Sequence, residues 1–489
     1  MLPVLTVAQV RAAEAELFTT VSADAVMQRA ATGLAQVCVR LLDDWCGQLA
    51  GVRVYALVGT GNNGGDALFA AAELARRGAK VTCVHTGERL HADGAAAARS
   101  AGARVVPVSE MTDLADADLV IDGIVGIGGR GGIDPKVTAL VGTATEALVV
   151  AVDVPSGVDA DTGEVSGAAI PADVTVTFGA LKPGLTQALE YVGEIELVDI
   201  ELPMPDEIPT VVFTGSDAAL YFPEPELRAH KYSRGVVGVA AGSESYPGAA
   251  QLVVAGARHA NIGMVVYRSD SPELVAQGVT HFPDVVLSRQ EPVDVARVTG
   301  WACGSGFTDD QLAEVEQVLV TALPVVLDAG ALTLLAKHAH LRERIPERDA
   351  LTVITPHEGE FARLFPGISL ADRIGAASAA ARQLGAVVLL KGPATVLADP
   401  QGEVRIDLAG GAELACAGSG DVLTGIIGSV LAAGVARGED VGIDHVAAAC
   451  WVHGVAGGLA AEGGGTVTAV DIAAVVSAAV AAARSGDHG

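Results

Sequence analysis

Aromatic residues make up only 4% of the 489 positions, and positive charge is scarce, with 31 Lys and Arg against 59 Asp and Glu. The net charge of −28 and the pI near 4.6 exclude a surface that grips nucleic acid or an anionic membrane. An anionic ligand must therefore be met by a local pocket of backbone amides and a few cations. Long hydrophobic runs are missing too. Stretches such as Ile472–Ala483 fall short of the roughly 20 residues that a bilayer span requires. The N-terminus has no basic stretch followed by an apolar one, so no signal peptide is expected. The six cysteines (Cys38, Cys46, Cys83, Cys303, Cys416 and Cys450) form no C-x-x-C pair. That spacing argues against a disulfide framework or a zinc site, and for a reducing cytoplasm. No Gly-Lys dipeptide occurs, which excludes a Walker-type phosphate loop.

What is present is a chain half hydrophobic, dominated by Ala and Gly, in which Val- and Ile-rich runs alternate with Ala-rich amphipathic stretches. Strands are predicted at 52–59, 80–85, 119–121, 148–152, 174–178 and 195–199, with helices over 64–77 and 92–101. A second series runs through strands at 236–240, 263–267, 298–303, 325–328, 353–355 and 386–390, then becomes mainly helical from 421 to 483. Such alternation predicts an α/β protein with mostly parallel sheets covered on both faces. Between the series, Glu201–Pro209 carries three prolines in nine residues and reads as a linker. The predicted domains are 1–212 and 213–489.

Chemistry concentrates at the carboxyl ends of these strands, where ligands bind in open parallel sheets. Gly59-Thr-Gly61-Asn62-Asn63-Gly64-Gly65-Asp66 matches G-x-G-x-x-G, whose glycines bring amides close to phosphate at a helix N-terminus. The next strand ends His85-Thr86, without the acid that would hold a ribose hydroxyl, which disfavours an ordinary NAD dehydrogenase. The asparagines suit a hard cation or a ligand amide. Asp122, with the following loop Gly126-Ile127-Gly128-Gly129-Arg130-Gly131-Gly132, and Asp153 with Ser156 end two further strands and can converge on the same crevice. In the second half, Gly418-Ser419-Gly420-Asp421 opens an apolar helix. Small residues there expose amides to phosphoryl charge, and Asp421 is placed to accept a hydroxyl proton. Lys391-Gly392-Pro393-Ala394-Thr395 ends a strand with a cation and a tight turn. His357, Cys303-Gly-Ser-Gly306 and Tyr246-Pro-Gly-Ala249 complete the candidate pocket.

Residues 5–205 resemble the NAD(P)H-hydrate epimerase domain through Gly61–Asp66, the Asp122 loop and Ala151–Ala160. Residues 215–485 resemble the NAD(P)H-hydrate dehydratase branch of the ribokinase-like superfamily, through His230–Gly235, Gly248-Ala249, Cys303–Gly306, Thr355–Glu360, Lys391–Thr395 and Gly418–Asp421. The resemblance implies an N-terminal Rossmann-like sheet and a C-terminal ribokinase-like domain. It implies K+ at Asn63, Asp122 and Ser156, and hydrated nicotinamide nucleotide held by 62–66, 126–132 and Asp153. In the second domain it implies hydrate at Ala249, Gly306, His357 and Asp421, ADP as co-substrate at 391–395 and 418–420, and Mg2+. Asp153 and Asp421 are then the catalytic residues. The expected activity is epimerisation of R and S NADHX and NADPHX, with dehydration of the S epimer as ADP becomes AMP and phosphate. A cytoplasmic homo-oligomer is expected. Two departures are Ala67, where the family usually has Gly, and Cys416-Ala-Gly-Ser-Gly-Asp421, where it often has T-G-G-T-G-D. A ribokinase-like small-molecule kinase with a non-catalytic dinucleotide-binding N-terminal domain is the alternative.

Overall fold

The computed structural model describes residues 1–129 and 131–485. The chain forms two compact units, Pro3–Ile208 and Pro209–Gly489, with Met1–Leu2 belonging to the second. The chain thus passes between units at Ile208–Pro209, four residues ahead of the expected boundary at 212.

The first unit is built on seven parallel strands: β2 (Arg53–Val58), β3 (Lys80–His85), β4 (Arg104–Pro107), β5 (Leu119–Gly123), β6 (Leu148–Val152), β7 (Val174–Phe178) and β8 (Glu194–Val198). Their order, β4-β3-β2-β5-β6-β7-β8, reverses direction between β2 and β5. All five residues of β5 and β7 are buried, as strands covered on both faces require. The helices Ala23–Cys46 and Asn62–Arg76 contribute Leu34, Ala35, Cys38, Leu68, Ala71 and Leu74 to the core on one face. The other face packs Leu57, Val84 and Val120 with Leu114, Val137 and Leu140. A crevice opens beyond the carboxyl ends of β2 and β5, where connections leave toward opposite faces.

The second unit carries an eleven-stranded sheet, with Leu2–Pro3 (β1) at one edge. Its other strands are β9 (Thr210–Val212), β10 (Val236–Ala240), β11 (Met264–Arg268), β12 (Val286–Ser288), β13 (Gly300–Cys303), β14 (Val325–Leu327), β15 (Thr352–Ile354), β16 (Val387–Leu390), β17 (Thr395–Ala398) and β18 (Val404–Asp407). Strands β10 to β16 pair in parallel, but β16, β17 and β18 form an antiparallel meander that the sequence reading missed. Directly after the linker Glu201–Pro209, and ahead of the expected boundary at 212, Thr210–Val212 forms β9, which pairs with β18.

Among the described residues the one helix long and apolar enough to cross a bilayer is Ser419–Arg437, not the stretch within Ala469–Ser485. It is largely buried inside the unit. Its closest partner is the helix Pro247–His259, and glycines set their separation. A Cβ on Gly425 would lie 2.1 Å from the Val253 carbonyl oxygen, and one on Gly256 would lie 2.3 Å from that of Val422. Neither neighbour is a flexible side chain, so the helices must part to admit a methyl group. Gly425→Ala is expected to destabilise this unit by at least about 1–3 kcal/mol, the usual cost of overpacking. Its thermal midpoint should fall accordingly in calorimetry. An unchanged midpoint would show that the two helices have slack.

Candidate active sites

In the first unit, the loop after β2 and the helix Asn62–Arg76 build one wall of a cavity of about 430 Å³. Two glycines of this loop are dictated by backbone contacts. A Cβ on Gly59 would meet the Ile124 carbonyl oxygen at 1.8 Å, and one on Gly64 would meet that of Gly59 at 2.3 Å. Asn62, Asn63, Asp66, Gly126, Ile127, Gly128, Gly129 and Asp153 line the cavity, as expected for a shared crevice. Gly64, Gly65, Gly131 and Gly132 are absent from the lining; Gly65 instead faces Met27 and His91, and Gly132 faces Gly167 and Ala168. Arg130 lies outside the described residues. The Ala67 methyl is fully buried and turns toward Gly123 rather than into the cavity, so this departure does not narrow the site.

Asp122 and Ser156 sit beneath the lining, both wholly buried. The Ser156 hydroxyl donates to Asp122 Oδ1 at 2.6 Å and its amide to Oδ2 at 2.8 Å, while Val125 N donates to the Ser156 hydroxyl at 3.0 Å. Asn63 Nδ2 donates to the Val152 carbonyl at 2.6 Å, and its Oδ1 lies against Gly126. Burial pushes the Asp122 carboxyl up to about 6, against the pull of these donors. Asp122 has no cationic side chain as partner among the described residues. The donor set of carboxylate, hydroxyl, amide and main-chain oxygens around a buried charge fits a monovalent cation.

The sequence reading missed Lys182. It follows β7 and is 1% exposed, with Nζ 2.5 Å from Asp153 Oδ1 and 2.9 Å from Thr177 Oγ1. Asp153 itself adopts φ of 67°, a left-handed conformation that side chains rarely take. Glu14 and Arg11, from the helix Val7–Leu17, and Thr60 and Phe178 also line the cavity. Thr60 belongs to the glycine loop, but no motif announces Lys182, Glu14, Arg11 or Phe178, which come from elements distant from it in sequence.

In the second unit, the carboxyl ends of consecutive strands are stitched together by backbone bonds. Gly304 N donates to Ala240 O at 3.0 Å, Asp328 N to Cys303 O at 3.1 Å, and Lys391 N to Pro356 O at 2.9 Å. Asp328, buried and overlooked by the sequence reading, is the hub. Its carboxylate accepts from Lys391 Nζ at 2.9 Å, Thr355 Oγ1 at 2.7 Å and Thr424 Oγ1 at 2.9 Å. Burial opposes the charge on Lys391, but Asp328, Glu360 and Asp421 outweigh it and hold the ammonium above its usual value. Gly420 lies against this ammonium, since a Cβ there would sit 3.3 Å from Nζ.

Asp421 stands in the first turn of the helix Ser419–Arg437, whose N-cap Gly418 adopts φ of 90°. Burial, then the nearby Asp328, raise its carboxyl to about 6, while Ser305 and Lys391 pull it back. The amides of Gly418 and Gly420 have no acceptor among the described residues. His453 fixes the loop from below, with Nε2 3.0 Å from the Ser419 carbonyl and 3.1 Å from its hydroxyl. Burial drives this imidazole down to about 4, so it is neutral. The Ser419 hydroxyl thus has a structural partner in His453. Ala249 meets Gly306, where a Cβ would approach within 2.7 Å. His357 caps the helix Glu358–Leu364 by accepting from Gly359 N at 3.0 Å, and its ring is exposed. Arg373, also unread in the sequence, donates to the Lys391 carbonyl at 3.0 Å and presses on Gly392. Among the described residues no three His, Cys, Asp or Glu side chains form a metal cage.

Residues 237–477 match the family model described as NAD(P)H-hydrate dehydratase, and residues 23–184 match that described as YjeF-related protein N-terminus. The Bifunctional NAD(P)H-hydrate repair enzyme Nnr of Mycobacterium leprae is 45% identical over 439 residues, covering 88% of this chain and 90% of that protein. Its namesake from Synechocystis sp. is 35% identical over 493 residues, covering 94% and 91%. The crystal structure of ADP/ATP-dependent NAD(P)H-hydrate dehydratase from Bacillus subtilis, co-crystallized with ATP/Mg2+, is 28% identical, covering 56% of this chain and 98% of that one, with a TM-score of 0.49. With such relatives aligned along nearly its whole length, the chain belongs to the family of bifunctional NAD(P)H-hydrate repair enzymes.

Proposed function

We propose that the first unit interconverts the R and S epimers of NAD(P)H hydrate and that the second returns the S epimer to NAD(P)H at the expense of ADP. The observation that carries the reading is Asp421 beside the open amides of Gly418 and Gly420, with Lys391 held against the same loop. Asp421 takes the proton of the C6 hydroxyl as its oxygen attacks the β-phosphorus, and AMP leaves. The amides of Gly418 and Gly420 and the Lys391 ammonium meet the charge that develops on the phosphoryl oxygens. The C6–O bond then breaks with the ring nitrogen's electron pair pushing, phosphate departs, and loss of a C5 proton restores the dihydropyridine. Ala249, Gly306 and His357 border the hydrate, and the 391–395 turn borders the nucleotide. Mg2+ bound to the nucleotide supplies charge neutralisation on its phosphates.

In the first unit Asn63, Asp122 and Ser156 would hold K+, which supplies the counter-charge that buried Asp122 lacks. Asn62, Asp66, the glycines around 126–129 and Asp153 border the hydrated nucleotide. Incubating the full chain with mixed R and S NADHX and either ADP or ATP tests the whole reading. Recovery of the reduced-nicotinamide absorbance supports it, whereas phosphorylation of an unrelated alcohol identifies a kinase.

Asp421→Asn is expected to lower dehydration by about 100- to 10,000-fold, as loss of a general base does. ADP should still bind in calorimetry, because the amides and Lys391 remain. In the unsubstituted chain the base must be ionised, and its value is raised to about 6. Dehydration should therefore fall as the pH drops through about 6, and this limb should vanish in the variant. Asp122→Asn should weaken the K+ dependence of epimerisation while leaving dehydration of pure S epimer unchanged; a loss of both would contradict two independent sites.

A further inference from the structure

The N-terminal cavity holds three carboxyl groups and one buried lysine. Lys182 gives its ammonium to Asp153 at 2.5 Å, with Thr177 Oγ1 at 2.9 Å and the Phe178 carbonyl at 3.2 Å. Thr177 Oγ1 also lies 3.2 Å from Asp153 Oδ1, so the carboxylate is fixed from two sides. Asp66, 8% exposed, lines the same cavity and makes no side-chain hydrogen bond among the described residues. The charged groups around it are Asp153, Lys182, and Glu14 and Arg11 from the helix Val7–Leu17. One cation thus neutralises one carboxylate, and that carboxylate is Asp153.

We propose that Lys182 is the positioning residue that sets the direction of proton transfer in the N-terminal site, making Asp153 the proton acceptor and leaving Asp66 as the proton donor. The inference rests on the epimerase reading of this unit. The C6 carbon of the hydrate bears both the hydroxyl and the ring nitrogen, so it is a hemiaminal that epimerises by opening and closing the ring. Asp153 takes the hydroxyl proton as the C6–N1 bond breaks and a C6 carbonyl forms. The bonding pair goes to N1, which receives the Asp66 proton. Rotation about C5–C6 turns the other aldehyde face to N1, and return of both protons closes the opposite epimer. No redox partner or water is consumed, and the enzyme ends as it began. The step needs one neutral and one ionised carboxyl at once. Burial first, then Asp153 and Glu14, push the Asp66 carboxyl well above its ordinary value, as a donor requires.

The test uses the full chain without nucleotide, so that only epimerisation runs, starting from pure R NADHX and resolving the epimers by chromatography. Lys182→Met, which fills the space without charge, is expected to lower kcat by about 100-fold or more with KM held within about threefold. Lys182→Arg, which keeps the cation, is expected to recover part of that loss. Asp66→Asn, neutral and of the same shape, is expected to cost a similar factor. Turnover of the unsubstituted chain should show a falling limb where rising pH removes the Asp66 proton, and Asp66→Asn should lack that limb. Near-normal kcat in Lys182→Met, or better turnover in Lys182→Met than in Lys182→Arg, would overturn the positioning role. An unaltered falling limb in Asp66→Asn would overturn the donor assignment, even if the lysine variants fail to fold. No epimerisation by the unsubstituted chain would instead sink the epimerase reading itself.

Discussion

A buried carboxylate must find a counter-charge or surrender its proton, and both units are organised around that constraint. Each buries an aspartate at the carboxyl end of its sheet and sets a lysine against it: Lys182 on Asp153 at 2.5 Å, and Lys391 on Asp328 at 2.9 Å. Breaking such a pair by removing one partner costs about 3–5 kcal/mol, because the other charge stays inside. The chain has 31 cationic residues for 59 acidic ones, so the placing of a lysine beside each of these two acids is selective. Carboxyls left without a cation are shifted accordingly. Asp66, Asp122 and Asp421 are all raised, and burial is the leading cause in each. Lys182 and Lys391 thus each pair with one buried acid, and Asp66, Asp122 and Asp421 are the acids in which burial sets the direction of the shift.

Small residues make the burial possible. With glycine at the helix contacts, Ser419–Arg437 and Pro247–His259 approach until a single methyl group would strike backbone. That brings the Gly418–Asp421 turn down onto the strand ends, where Thr424 reaches Asp328 and Gly420 reaches Lys391. A bulkier, more aromatic core would hold the first turn farther from the sheet and leave the lysine solvated. The low aromatic content therefore belongs to the site as much as to the fold.

The parallel strands were legible as short Val-rich segments between helical stretches, and β3, β6, β7 and β10 have the ends that pattern gives. Strand β16 was legible too, but its partners β17 and β18 were not, because Thr395–Ala398 and Val404–Asp407 are four-residue strands that carry no βα alternation. Thr210–Val212 was hidden by the prolines before it. Glycine loops and strand-end acids could be read because they come as contiguous motifs. Lys182, Asp328 and Arg373 could not, since a single charged residue beside an apolar run looks the same whether it is solvated or buried. The one available signal was position: Asp328 directly follows the buried strand β14, and Lys182 comes four residues after β7 in a chain otherwise sparing of cations. Spacing also could not tell lining from support, which is why Gly131 and Gly132 leave the cavity and Asp122 lies beneath it.

Two of the five non-glycine residues with positive φ among the described residues stand beside these two ion pairs. Asp153 sits at φ 67°, and Ala329, directly after Asp328, sits at φ 49°. Neither residue gains from a left-handed conformation by itself, and each such position costs on the order of 1–3 kcal/mol. The surrounding bonds supply the restraint: Asp153 N donates to Val176 O at 2.7 Å, and Asp328 N donates to Cys303 O at 3.1 Å. A relaxed backbone at Asp153 would swing the carboxylate away from Lys182, and at Ala329 it would turn the Asp328 hub out of reach of Thr355 and Thr424. The strain and the ion pair therefore hold each other in place. Neither would persist alone, and that mutual dependence fixes a charged side chain at a buried strand end with the rigidity that proton transfer demands.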